Sequence, residues 1–421
     1  MNNTIKLAVA AALVAAASTA NAGISIPAGD WTLDIGGVVN AYYTSTRATG
    51  TATGLAGAND TGTKTASNIT TGLLPNYLSV SGKTRQNDLD VAFTISINPG
   101  ASTTASGKQS AQQENRQAFL TFGDASWGSI KLGKDLGIYA SDAILNDMTL
   151  LGVGSAAGML AGNTTTLGRI GTGFMYADWK AQVAYSSPNW NGFNFTAGVT
   201  QAWNATGSTG RGGSEPAFEA KAAYAWTGDV AGKVWVSGIS QKVKGLGAKA
   251  ATAGSSVWTP TGPSSNLLVI TPATAAVAGT DSRAEAFDIG TTINVAGFGL
   301  TGYYNTGRGI GQTTQLSGGF DANGQKRDSD DWYVQGTYTI PGVGTKLGAS
   351  YGESTLDGTA ADTFNDSTNR MWTIGAYHPI TKHLNLVAEY SDVKGELNNK
   401  AAGTSTEGKT KTVSLGAILF F

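Results

Sequence analysis

No cysteine occurs in this sequence, and only two histidines, His378 and His383. An exported soluble domain is free to use disulfides, and this chain uses none. Without cysteine, and with its two histidines not at a zinc spacing, the sequence offers no metal-ligand cluster and no reason to expect a cofactor. An excess of charge of one sign is missing too: Lys and Arg number 28 against 29 for Asp and Glu. No basic stretch interleaved with aromatics points to nucleic acid, and there is no acidic tail. Long apolar runs are also missing. Beyond residue 22 nothing could cross a bilayer as a helix, which needs ~20 apolar residues, and the mean hydropathy is −0.10. This excludes a helical membrane protein. It does not exclude a β-barrel, whose outward apolar residues are diluted by inward polar ones.

What is present begins with "MNNTIKLAVAAALVAAASTANA". Lys6, the apolar run from Leu7 to Ala17, and the small residues Ala20 and Ala22 predict a signal peptide over residues 1–22, cleaved before Gly23. Residues 23–421 then form one mature domain, since no linker divides them. Glycine accounts for 58 of the 421 residues, about twice its ordinary share.

An apolar/polar alternation of period two, the mark of a half-buried strand, recurs along this domain. "DLDVAFTISIN" sets Leu89, Val91, Phe93, Ile95 and Ile97 against Asp88, Asp90, Thr94, Ser96 and Asn98. "WTLDIGGVVNAYYT", "KHLNLVAEYS" and the terminal "TKTVSLGAILFF" repeat the pattern. About sixteen such segments can be counted, an even number, as single-chain bacterial barrels prefer. Short turns such as "QND", "AGFG" and "PGVG" alternate with long stretches near 45–75, 98–113, 135–172, 204–216, 244–284, 307–330, 356–368 and 393–409. A large soluble β-sandwich does not account for that rhythm. The expectation is an all-β chain, a transmembrane antiparallel β-barrel of about sixteen strands with both termini on the short-turn, periplasmic side. The apolar face ending at Phe421 then meets lipid. The last strand must pair with the first, "WTLDIGGVVNAYYT", because only a closed sheet leaves no unpaired edge in hydrocarbon.

Several stretches carry a family resemblance. "NRQAFLTFGDASWGSIKLGKD" (Asn115–Asp135), "VAYSSPNWNGFNFTAGV" (Val183–Val199), "GAYHPITKHLNLVAEYSDVK" (Gly375–Lys394) and the terminal Phe421 resemble the general porins of Gram-negative outer membranes, most closely those of β-proteobacteria. The resemblance implies a homotrimer of sixteen-stranded barrels in the outer membrane, surrounded by lipid and lipopolysaccharide. Each barrel would be a water-filled channel for passive diffusion of small hydrophilic solutes and ions, narrowed by an inward-folded third long loop. Phe421 looks like the signal read by the barrel assembly machinery.

In this chain that loop is Asp135–Thr172, carrying Asp142 and Asp147, with Arg169 near its exit. Opposed charges across a narrow aqueous gap set up a transverse field that orients dipolar solutes. Parity places Asp34, Lys83, Asp88, Asp90, Lys131, Asp178, Lys180, Glu219, Lys221, Lys233, Lys346 and Glu389 on the lumen wall. The expected constriction sets Asp142 and Asp147 opposite Lys83, Lys131 and Lys180. Members of the family often carry an arginine cluster on this wall. Here Tyr77 and Asn115 stand at two such positions, and Arg116 has the wrong parity unless a bulge intervenes.

Signals of chemistry are weak. "SGKT" (Ser81–Thr84) has Tyr77 where a phosphate-binding loop needs its first glycine. "GVGSAAG" (Gly152–Gly158) fails the dinucleotide spacing, and the two histidines flank one predicted turn without a nucleophile and carboxylate beside them. The chain is therefore not expected to be an enzyme. Three rivals to the diffusion channel remain open. One is a substrate-selective channel using lumen aromatics (Tyr42, Tyr77, Phe119, Trp235, Tyr333). The others are a non-conducting structural or adhesive barrel and an outer-membrane enzyme.

Overall fold

The period-two alternation becomes strand after strand in the computed structural model, which describes residues 23–50, 65–101, 113–155, 165–208, 210, 212–262, 265–400 and 403–421. The expected signal peptide lies outside these residues. In chain order the strands are β1 (Ile24–Ala28), β2 (Trp31–Gly50), β3 (Thr65–Thr70), β4 (Tyr77–Gln86), β5 (Leu89–Ile97), β6 (Ala118–Asp124), β7 (Gly128–Leu136), β8 (Trp179–Ser186), β9 (Phe193–Thr200) and β10 (Ala217–Trp226). They continue with β11 (Val230–Leu246), β12 (Ser255–Gly262), β13 (Ser265–Thr271), β14 (Thr280–Val295), β15 (Phe298–Arg308), β16 (Asp328–Thr339), β17 (Lys346–Asp357), β18 (Phe364–Pro379), β19 (Leu384–Asn399) and β20 (Ser405–Phe420).

Each strand is antiparallel to its neighbours, and the sheet closes where β20 pairs with β2, from Val38↔Phe420 to Gly50↔Gly408. β12 and β13 form a separate hairpin within the β11–β14 connection. β3 and β4 occupy one position beside β2, and β1 continues the line of β20. The ring therefore has sixteen strand positions. The seam is locked by Gly37 and Phe421, which exchange backbone hydrogen bonds of 2.7 and 3.0 Å. Only glycine fits there, since a Cβ on Gly37 would lie 2.2 Å from the Tyr77 carbonyl oxygen.

The two faces are inverted relative to a soluble sheet. On β2, Val39 and Tyr43 are 55% and 51% exposed, while Asn40 and Tyr42 are 2% and 1% exposed. Leu300, Val334, Ile374 and Leu415 continue the outward apolar face on other strands. Such a surface is stable against hydrocarbon, where every backbone group must find its partner within the sheet. The apolar core lies inside the ring, where Ile144, Leu150, Ile170 and Phe174 of the β7–β8 connection pack on Val38, Tyr42 and Tyr333 of the wall. A second cluster joins Tyr139 and Met175 to Ile310, Leu316 and Phe320 of the β15–β16 connection.

Several expectations need correction. The first strand is preceded by β1, which folds back on Trp31–Ile35 through Gly29 and Asp30, so β20 pairs only with the Val38–Gly50 part of β2. The stretch 393–409 is mostly strand, because β19 and β20 pair as far as Asn398↔Ser405. β3 occupies part of the expected 45–75 loop, and the β12–β13 hairpin part of 244–284. Asp88 is not a wall residue. With Asn87 it forms a two-residue turn at φ 61° and 49°, where the backbone requires left-handed positions that Asn and Asp tolerate.

Candidate pore constriction

The β7–β8 connection, residues 137–178, is closed at its neck by a hydrogen bond of 2.7 Å from Gly137 N–H to the Asp178 carbonyl. Among its described residues are a short helix, α1 (Ser141–Asn146), and a 3-10 turn that follows it, Met148–Leu151. Inward-pointing side chains around the ring then hold it. Glu219 on β10 accepts from Ile138 N–H and Tyr139 N–H, both at 2.9 Å. Ser237 on β11 accepts from Ala140 N–H at 3.0 Å. Gln335 on β16 accepts from Met148 N–H at 2.6 Å and donates to Asn146 O at 3.0 Å. Glu389 on β19 accepts from Val153 N–H at 2.7 Å, Gly154 N–H at 2.9 Å and the Tyr377 hydroxyl at 2.6 Å. Arg169 donates to Met371 O at 2.9 Å on β18 and to the Ser350 hydroxyl on β17. Loop N–H groups left without helix or sheet partners are thus met by buried carboxylates, a strong form of hydrogen bond.

Asp142 lies at the centre of the charge arrangement. Its carboxylate is buried and clasped by Lys221, at 3.2 Å, and Lys233. Burial alone would raise its pKa, but the two ammonium groups outweigh burial and hold it at about 2. Asp147 does different work. It caps the 3-10 turn, accepting from Thr149 N–H at 3.0 Å and from the Thr149 hydroxyl at 2.5 Å. Burial raises its pKa against the opposing influence of Arg169.

The expected opposition of Asp142 and Asp147 to Lys83, Lys131 and Lys180 is not what the structure brings together. Lys83 pairs with Asp34 at 3.3 Å, and Lys131 with Asp135. Lys180 is sealed off from water, bonded to Glu219 and to Gln315 of the β15–β16 connection, both at 2.6 Å. Lys221, expected only as a further lumen charge, and Lys233 are the cations that meet Asp142. Asp90 pairs with Arg85 at 2.8 Å, near the turn that contains Asp88. Asp178 is not on the wall either. It sits at φ 57° ahead of β8, with its carboxylate on Trp179 N–H at 2.7 Å. The aromatics proposed as a lumen slide divide. The Tyr42 and Tyr333 hydroxyls donate to loop carbonyls at 2.8 and 2.9 Å, and Trp235 is buried. Tyr77, on β4 beside β2, packs half-buried against the same apolar cluster, and Phe119 on β6 has Lys131 4.9 Å above its ring.

Towards the short-turn end the loop leaves a cavity of about 560 Å³. Asn146, Asp147 and Leu151 line it from the loop, and Asn294, Thr301, Gln335 and Lys346 from the wall. Sequence reasoning missed the inward packing of the β15–β16 connection, whose Thr313 carbonyl accepts from Tyr176 N–H at 3.0 Å. It also missed the interruption between β3 and β4. The apolar pair and proline of "GLLPN", set in a polar loop, were the available signal.

A family model described as Gram-negative porin matches residues 8–398. The chain belongs to that family. It is an outer-membrane channel for passive diffusion of solutes. Solved structures share the fold at low identity. An anion-selective porin from Comamonas acidovorans is 14% identical with a TM-score of 0.58, over 93% of this chain and 100% of the other. The outer membrane channel DcaP of Acinetobacter baumannii is 17% identical with a TM-score of 0.62, over 94% and 99%. OmpT of Vibrio cholerae in its trimer form is 15% identical with a TM-score of 0.54, over 93% and 99%. No curated protein matches the chain. With the family settled, the short turns of this porin are periplasmic and its long loops extracellular.

Proposed function

We propose that this porin passes small hydrophilic solutes and ions, and sorts them where the 137–178 loop crosses the lumen. The observation that carries this reading is the 560 Å³ cavity beside the loop, lined by Asp147, Asp229 and Lys346, with Asp142 of the same loop clasped by Lys221 and Lys233 of the wall. It sets charges of both signs at the edge of an aqueous space, the arrangement that produces a transverse field. Lys83, Lys131, Asp90 and Lys346 extend the charged lining toward the periplasm. Asp147, Lys180 and Glu219 hold the loop in place.

In this reading the protein works as a homotrimer embedded in outer-membrane lipid and lipopolysaccharide. It is exported by a cleaved signal peptide over residues 1–22 and assembled through Phe421. It is not an enzyme. His378 Nδ1 meets the Thr345 hydroxyl at 2.8 Å, with no carboxylate-backed nucleophile in that contact.

The test is single-channel conductance of the purified protein in a planar bilayer under a salt gradient. Stepwise openings that close in threes at high voltage support the reading, and the reversal potential gives the ion preference. Silence from demonstrably folded barrels overturns it and favours a structural barrel.

A further inference from the structure

On the outside of the barrel, the lipid-facing surface changes character at one sector of the extracellular rim. Ile374, Tyr390 and Val413 stand side by side on β18, β19 and β20 and end the apolar belt there. Two residues further out, roughly 7 Å at about 3.4 Å per residue, the neighbours are Asp392, Lys411 and Arg47. Two residues beyond them Arg370, Lys394 and Lys409 stand abreast on adjacent strands. Glu396 and Glu407 follow at the next step. The alternate residues Met371, Val393, Thr410 and Thr412 are buried toward the lumen, so all these charges lie on the outer face.

Like charges directly opposite one another destabilise a sheet. Here Arg370 faces Lys394, Lys394 faces Lys409, and Arg47 faces Lys411. The carboxylates answer them from the side and from above. Glu353 meets Arg370 at 3.6 Å, Glu396 meets Arg370 at 3.4 Å and Lys394 at 3.2 Å, and Glu407 meets Lys394 and Lys409 at 2.8 Å each. On the membrane side the cations are less well matched. Asp392 lies 3.8 Å from Lys411, and Arg47 has no ion pair among the described residues. The Lys409 and Lys411 side chains are 44% and 55% exposed. On β16 the sign is reversed, since the same steps beyond the outward Trp332 carry Asp330 and then Asp328. The basic sector belongs to β18, β19, β20 and β2.

Cations layered between hydrocarbon and carboxylates fit an anion that arrives from the membrane side, at headgroup level. Clusters of Lys and Arg beside a membrane recognise anionic headgroups in this way, and ammonium and guanidinium groups donate strong hydrogen bonds to phosphate oxygens. We propose that Arg47, Arg370, Lys394, Lys409 and Lys411 form a docking site for the phosphorylated headgroup of an outer-leaflet lipid, lipopolysaccharide. Its acyl chains lie on Ile374, Val413 and Leu415 beneath the site, which are 50%, 45% and 53% exposed. Glu396 and Glu407 hold the lysines in place from the far side. The inference rests on the reading that lipopolysaccharide surrounds the barrel, and adds where on the barrel it is held. It does not depend on what passes through the lumen.

The test uses folded porin in neutral detergent with lipid A, the phosphorylated glycolipid part of lipopolysaccharide, as probe. Bound lipid is counted by native mass spectrometry. Wild type should retain lipid A, and the double variant Lys409→Gln, Lys411→Gln should bind it more weakly by about five-fold for each cation removed. Arg308→Gln, whose partner is Asp328 in the acidic sector, should bind like wild type. Lipid A stripped of its phosphates should bind wild type no better than it binds the double variant. Equal retention by wild type and the double variant overturns the site and leaves the barrel's lipid surroundings as read. No retention by wild type overturns the site and that reading together. Displacement of lipid A by an equal concentration of inorganic phosphate would reveal a free-anion site and overturn the lipid assignment.

Discussion

Replacing Asp142 by asparagine tests how far charge holds the constriction together. The carboxylate is buried and meets Lys221 at 3.2 Å as well as Lys233. Its pKa falls from the ordinary 3.8 to about 2, which at 1.36 kcal/mol per unit amounts to roughly 2 kcal/mol of loop anchoring. A loss of that size multiplies the released state of the loop about thirty-fold. The substitution would also leave two ammonium groups at the edge of the lumen without their anion.

Asp142→Asn should therefore increase spontaneous closures and current noise, and move the reversal potential toward anion preference. Adding Lys233→Gln should return part of the selectivity shift, since contacting partners do not behave additively. The wild-type pH dependence follows from the same numbers. The docked pKa lies below the free one, so the anchoring is complete above pH 4 or so and fades as pH falls through about 2. Conductance and noise should then be constant from neutral pH down to about pH 4. An unchanged reversal potential in Asp142→Asn would refute the reasoning, as would a wild-type closure near pH 6 that this substitution abolishes.

Four further outcomes follow from the same structure. Gly152→Ala puts a Cβ 2.2 Å from Glu389 Oε1, so the carboxylate must release Val153 and Gly154; limited proteolysis should cut the loop while the barrel keeps its resistance to SDS. Lys180→Met leaves Glu219 buried without its cation and should cost about 3–5 kcal/mol, seen as a lower temperature for the mobility shift on SDS gels, with Glu219→Gln added to recover part of the loss. Asn40→Ala removes the two side-chain hydrogen bonds to Leu74 O and Gly72 N–H at the strand interruption, each worth about 1 kcal/mol, and should lower the same transition and increase open-channel noise. Deleting Phe421 removes both backbone bonds to Gly37 at the seam and should lower the yield of folded protein in membranes with little change in expression.

The barrel was legible because its signal is summed over the whole chain. On one strand, Val39 and Tyr43 against Asn40 and Tyr42 is a weak pattern; repeated around a ring with alternating short and long connections, it leaves few other folds. Strand ends were harder to read, because at the extracellular rim the outward face changes from apolar to charged. Lys394, Lys409 and Lys411 sit on lipid-facing parity above Tyr390 and Val413, in a stretch that reads as loop by composition yet pairs in register as β19 and β20.

The constriction was legible only in its parts. Parity put Glu219, Lys221, Lys233 and Glu389 on the lumen, and the loop acids were visible, but no periodicity says which wall a loop of some forty residues will lie against. That choice was made largely by groups whose partners are backbone atoms of the loop, the Glu219 and Glu389 carboxylates, each taking two loop N–H groups, with the Arg169 side chain adding bonds to the Ser350 hydroxyl and Met371 carbonyl. Backbone donors look alike in every sequence, so such contacts leave no signature. The strand interruption shows the same limit from the other side. "GLLPN" is odd for a loop and odd for a strand, and only the Asn40 amide, more than thirty residues away, makes it a ledge that carries leucines into the lumen. Parity therefore located the charged side chains of the wall, while the apolar contacts that seat the loop against β2 and β4 lie outside what that pattern registers.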